Sequence, residues 1–202
     1  FKPELEGTYD KFDKNFYEKR EIGENDKYIC KLIREDLIEE FIIYVNKNEY
    51  SLNSEVEPSI FETNSLLMKN NLKLIEYAAF FGSIQIFKYL YLNGVELTSS
   101  LWFYGIHGDN SELFQILEEN KIIPKVKSNN IGLYSLEKCL TESIKCHHNG
   151  IANYILTNLL NSEQIEQLKK RIIMYGFHYY NFYYFPKKEN YNLFFYFACK
   201  YD

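Results

Sequence analysis

Apolar residues along this chain recur at helical rather than strand spacing, and they come in pairs of short runs separated by polar turn residues. The clearest pair is residues 71–95, NLKLIEYAAFFGSIQIFKYLYLNGV. Leu74, Ile75, Ala78 and Ala79 line one face of a first helix, Gly82-Ser83 interrupts it, and Ile86, Phe87, Leu90 and Tyr91 line a second. Asn93-Gly94 then stops the second helix, as a glycine just past a C-terminus commonly does. The same outline predicts Tyr28 to Arg34, a turn at Asp36 and Leu37 to Val45; Ser100 to His107, Gly108-Asp109-Asn110 and Glu112 to Glu119; and Leu136 to Cys146, His147 to Gly150 and Ile151 to Leu160. Superimposing the turns aligns Phe41, Phe87, Leu113 and Ala152 at one core position, and Val45, Tyr91, Leu117 and Leu156 at another.

Each predicted helix has only about two or three turns, too few for stability in isolation, so the pairs must bury their stripes against neighbours. That is the physics of a helical repeat solenoid. The expected fold is therefore all-α, a helix-turn-helix array with irregular loops between repeats. The polar stretch 1–27 precedes a single solenoid over 28–202, with repeats near 28–57, 71–98, 100–123 and 135–160, a divergent one at 162–186, and the first helix of another at 190–202. Residues 47–70 read as a long loop with one helical turn around Ile60 to Leu67, and residues 121–134 as another loop. Ser162 to Arg171 is predicted helical and amphipathic. The aromatic block Met174 to Phe185, ended by Pro186, is placed as half of a divergent repeat. Both ends of the sequence read as cuts in a longer protein.

The segment LIEYAAFFGSIQIFKYLYLNGVEL resembles an ankyrin repeat through Ile75, Ala78, Ala79, Gly82, Ser83, Ile86, Phe87, Leu90, Tyr91 and Gly94. His148 falls on the family's histidine slot, where the side chain typically ties down the helix-helix turn. The stretches IREDLIEEFIIYVN, PSIFETNSLL, NGVELTSSLW and SIKCHHNGIANYI are similar to an ankyrin-type domain of unknown function that is expanded in parabasalid protists. The likeness is not uniform. No repeat carries Thr-Pro-Leu-His, and Tyr104-Gly105 and Ser143-Ile144 stand where the pattern has two alanines. The resemblance implies a non-enzymatic protein-binding module with no cofactor. In ankyrin arrays the two positions between the alanine pair and the turn glycine face the concave side and often touch partners. Carried over, they are Phe80 and Phe81, then Ile106 and His107, then Lys145 and Cys146. Phe-Phe-Ile in such slots means either a contact patch or burial under the loop 47–70.

Composition narrows the alternatives. Lys and Arg total 23 against 28 Asp and Glu, a net charge of −5, which argues against broad nucleic-acid binding even though Lys169-Lys170-Arg171 adjoins aromatic residues. Cys30, Cys139, Cys146 and Cys199 form no C-x-x-C pair and are expected reduced. With the absence of a sequon and of a signal-peptide pattern, this suggests a cytoplasmic protein. Cys139, Cys146, His147 and His148 invite a zinc reading, but His148 has a structural role and a fourth ligand is far away, so no metal is expected. A Cys–His nucleophile would need an orienting third group that the sequence does not mark. Phosphate-binding glycine loops are absent. The 19 Tyr and 16 Phe fit either an AT-biased genome, with rings filling the layers between repeats, or exposed anchors for a partner. The expected partner is another protein, through transient adaptor binding or as a permanent component of a large, for example cytoskeletal, assembly.

Overall fold

A computed structural model describes residues 14–68, 71–124 and 133–185, together with Cys199. Among these the protein is all-α: no strand forms, and one isolated antiparallel bridge joins Glu55 and Lys73. The helices are α1 (Lys14–Ile22), α2 (Tyr28–Arg34), α3 (Ile38–Lys47), α4 (Leu74–Phe81), α5 (Ile84–Leu92), α6 (Ser100–Gly108), α7 (Ser111–Glu119), α8 (Leu133–Lys145), α9 (Asn149–Tyr154) and α10 (Ser162–His178). A π-helical turn, Ile155–Leu159, extends α9, and a 3₁₀ turn, Phe182–Tyr184, follows α10. No described helix is long and apolar enough to cross a membrane. The chain divides into two compact units, residues 1–78 with 85–95 and residues 79–84 with 96–202. The expected first helix at Leu193 to Cys199 lies, apart from Cys199, outside the described residues.

Four helix pairs, α2/α3, α4/α5, α6/α7 and α8/α9, share one turn. A residue one or two positions past each first helix is left-handed: Asp36 (φ 50°), Gly82 (φ 67°), Asp109 (φ 45°) and His147 (φ 61°). Glycine adopts this conformation freely, and short polar side chains tolerate it. The N–H groups of these residues donate to the carbonyls of Ile33, Ala79, Ile106 and Ile144, at 3.0, 3.2, 3.4 and 3.2 Å. All four acceptor residues are fully buried. The second helices also close alike, through Tyr50→Val45, Val95→Leu90, Ile122→Leu117 and Leu160→Ile155 backbone bonds, the closure that satisfies orphan carbonyls at a helix C-terminus.

This common geometry corrects two alignments. Leu90 and Ile155, not Tyr91 and Leu156, stand opposite Val45 and Leu117; the first pair are fully buried and the second half-buried. Ile106, not Gly105, is the equivalent of Ala79, because α6 runs through Gly108 and Asp109 takes the turn. Phe41, Phe87, Leu113 and Ala152 are all core residues as aligned.

In the first unit the loop after α3 is tied down by polar groups. Buried Asn25 donates through Nδ2 to the Glu57 carbonyl at 2.8 Å, and its own N–H donates to Glu62 Oε2 at 3.3 Å. Thr63 donates its N–H and hydroxyl to the Gly23 carbonyl. The helical turn expected around Ile60 to Leu67 is two short hydrogen-bonded turns, Ser59–Glu62 and Asn64–Met68, and Ile60 is 85% exposed. Asp36 reaches out of its own turn: its carboxylate accepts from the N–H groups of Gln85 and Ile86 at 3.1 and 3.0 Å, capping the start of α5.

In the second unit α6 packs on α7 and α8, and α8 packs on α9 and α10. A capping box, Asn161 with Gln164, starts α10. The helix runs through half of the aromatic block rather than ending near Arg171. The rest turns back at Tyr180 (φ 54°), where buried Asn181 donates to the Ile144 carbonyl at 2.9 Å and Phe185 stacks on Phe177. The block is thus a hairpin closing on the end of α8, not a helix of its own. Arg171 donates through Nη1 to both carboxylate oxygens of Glu137, at 2.7 and 2.9 Å, which withdraws it from a free basic cluster.

Candidate functional site

In the second unit the end of α4 and the ends of α6 and α8 bring turn-proximal residues together. Measured from the left-handed turn residue, equivalent slots are Phe80/Phe81, His107/Gly108 and Lys145/Cys146. Ile106 drops out: its side chain is 0% exposed and offers no surface. Sequence reasoning misplaced it by taking Gly108, like Gly82, as the turn.

The glycines explain how closely these helices approach. A Cβ on Gly82 would lie 2.5 Å from the Gly108 carbonyl oxygen, and one on Gly108 only 2.4 Å from the Ala79 carbonyl oxygen. Backbone therefore meets backbone at this seam. Side chains just before these glycines are then stacked: the Phe80 and His107 rings lie 4.5 Å apart, 20° from parallel. Phe80 is 9% exposed, Phe81 and His107 are half-buried, and Lys145 is exposed.

On its other side His107 meets α8. Its Nδ1 lies 3.7 Å from the Cys146 Sγ, and its Nε2 lies 3.2 Å from Glu142 Oε1. The carboxylate approach is off the axis of an Nε2–H hydrogen bond, so this is a charge contact, and Nε2 has no aligned hydrogen-bond acceptor. Lys145 Nζ holds the same Glu142 oxygen at 2.9 Å. Burial would depress the His107 imidazolium, but the contacts with Cys146 and Glu142 outweigh it and raise the pKa to about 9. Burial likewise opposes ionisation of Glu142, yet His107 and Lys145 hold its carboxyl below the usual range. Glu142 is the site residue missed from sequence. Its only signal is its position four residues before Cys146, which puts both on one helical face.

The thiol, imidazole and carboxylate lie within 4.8 Å of one another. Thiol and carboxylate sit at opposite ring nitrogens, and Lys145 pairs with the same carboxylate. The other members of the earlier zinc reading are engaged elsewhere. Cys139 is buried, with its thiol pushed up to about 12 by desolvation; His147 Nε2 meets the Tyr179 carbonyl; and His148 Nδ1 lies 3.1 Å from Asp109 Oδ2. His148 thus ties its turn to the preceding turn rather than bracing its own helix pair.

No protein-family model matches the chain, and no curated protein or solved structure matches it.

Proposed function

We propose that this chain is an ankyrin-like helical repeat array that binds another protein and carries out no reaction in doing so. The supporting observation is the recurring left-handed turn at Asp36, Gly82, Asp109 and His147, each bonded to a buried residue three positions earlier. Four turns with one geometry are what stacked repeats require, since each pair must present the same face to the next. In the second unit the turns also touch in sequence order, through Asn110 Nδ2 to the Gly82 carbonyl and His148 to Asp109.

The contact surface centres on Phe81, His107, Lys145 and Cys146, with Phe80 supporting it from beneath. A half-buried phenylalanine and an exposed lysine in equivalent pairs of slots suit an anchor with a charged rim. The chain's net charge of −5 makes a neutral or basic partner surface the better match. Affinity capture followed by mass spectrometry tests this. A partner retained by the native sequence is expected to be lost by F81S/K145E, whose helical circular dichroism stays native. Equal capture by both proteins overturns the assignment of this surface.

A further inference from the structure

We propose that Cys146 is a reactive thiol, deprotonated by His107 and positioned against it with the help of Glu142, and that it is a modification site for soft carbon electrophiles. The inference concerns the isolated chain and does not depend on partner binding.

The thiolate, not the thiol, is the nucleophile, and a cysteine beside an imidazolium ionises more readily. Sγ and Nδ1 are 3.7 Å apart, within reach of a sulfur hydrogen bond, so the proton can pass directly between them. The ring cannot drift away. Phe80 stacks on one face, Phe103 meets it edge-on at 6.2 Å, and Glu142 attracts the far nitrogen. Two features oppose ionisation of Cys146: it follows the C-terminus of α8, where the helix dipole disfavours an anion, and Glu142 is itself negative. Glu142 is held between Lys145 and His107, which offsets its repulsion of the thiolate. The ionisable groups facing the thiol are thus His107 from α6 and Glu142 and Lys145 from α8. Cys146 is half-buried, shielded yet accessible, whereas Cys30 and Cys139 are buried with thiols pushed up to about 12 by desolvation. The three cysteines differ in surroundings rather than in chemistry.

Iodoacetamide is the probe. The sulfur lone pair forms the S–C bond as the C–I bond breaks, iodide leaves, and the thiol proton remains on His107 Nδ1. An ordinary thiol is only about 3% ionised near pH 7, so alkylation of Cys146 about tenfold faster than that of exposed Cys199 is expected by peptide mass spectrometry. In H107Q the advantage is expected to fall to about twofold or less while Cys139 stays unmodified, which reports an intact fold. Equal native rates at Cys146 and Cys199, or an undiminished Cys146 rate in folded H107Q, overturns the proposal. If H107Q unfolds, the ultraviolet thiolate absorbance of native protein minus that of C146S decides at neutral pH. A thiolate signal supports the proposal, and its absence overturns it.

Discussion

The second unit contains two seams between first helices, and they are built on opposite principles. Where the end of α4 meets the end of α6, Gly82 and Gly108 bring backbone against backbone, Phe80 stacks on His107, and Asn110 donates to the Gly82 carbonyl. Where α6 meets the end of α8, side chains fill the gap: a thiol, an imidazole, a carboxylate and an ammonium. The glycine seam has no slack, because any added atom meets main chain. The polar seam is held by groups whose attraction depends on protonation. Rigidity therefore belongs to the first seam and chemical responsiveness to the second.

The sharpest break of this contrast is G108A. Its methyl would sit 2.4 Å from the Ala79 carbonyl oxygen and 2.5 Å from the Gly82 nitrogen, and neither can swing aside. A loss of about 3 kcal/mol or more is expected in urea unfolding. G150A is the control. Gly150 lies in α9 beside the other seam's turn with nothing within 4 Å of its added Cβ, so replacing it is expected to be neutral or to stabilise by up to about 1 kcal/mol. Equal losses at the two positions would show that backbone approach is not what distinguishes the seams.

Next in size is F80A, which removes the ring covering His107. A mostly buried phenylalanine truncated to alanine is expected to cost about 3 kcal/mol, again by urea unfolding. The same variant should slow iodoacetamide at Cys146 if the stack holds the imidazole in place. Loss of stability with an unchanged rate would assign Phe80 to packing alone.

Much of this was legible from residue types that carry backbone consequences. Gly82, Asp36, Asp109 and His147 occupy segments that interrupt a helical stripe, so the four pairs and their order were readable. Gly108 misled because glycine usually marks the turn; here it is demanded by contact with Gly82, a residue 26 positions earlier that no local pattern reveals. That one-residue shift turned Ile106 into a supposed surface residue. Helix α1 was missed because it buries no side chain and so has no stripe to read. The extension of α10 into the aromatic block was obscured because Tyr and Phe suit core and surface alike; only Asn181, bonded to the Ile144 carbonyl, explains where the chain turns back. Glu142 acquires its role from His107, 35 residues away, and sequence spacing cannot report such a pairing.

The pH dependence separates the seams without mutation. His107 has its pKa raised from 6.5 to about 9, so its contribution is complete below about pH 6.5 and is lost as pH rises through about 9. Glu142 is shifted the other way, below its ordinary 4.5, so its contribution is present above that value and is lost as pH falls further. Thermal unfolding followed by circular dichroism should therefore give a plateau between about pH 5 and 6.5 and a decline towards pH 9. In H107Q the alkaline decline should flatten. A native profile level through pH 9 would mean that the polar seam contributes nothing to stability.

The smallest effects belong to the turn-to-turn contacts, and they discriminate most finely. Asn110 accepts from the Glu112 N–H at 3.0 Å, capping α7, and donates to the Gly82 carbonyl at 3.4 Å, so N110A removes a cap and a tie across the glycine seam. A cost of about 1 kcal/mol is expected. His148 faces Asp109 at 3.1 Å across the polar seam, but Asp109 is more than half exposed and the pair is screened by solvent and salt. H148A is expected to cost about 0.5 kcal/mol or less, with the difference from native vanishing in high salt. N110A should be insensitive to salt, because its cap is a local hydrogen bond between neutral groups. If H148A proved the costlier change, and salt did not alter it, the histidine would be packing the turn rather than pairing with the aspartate. The second seam would then owe its hold to shape, as the first does.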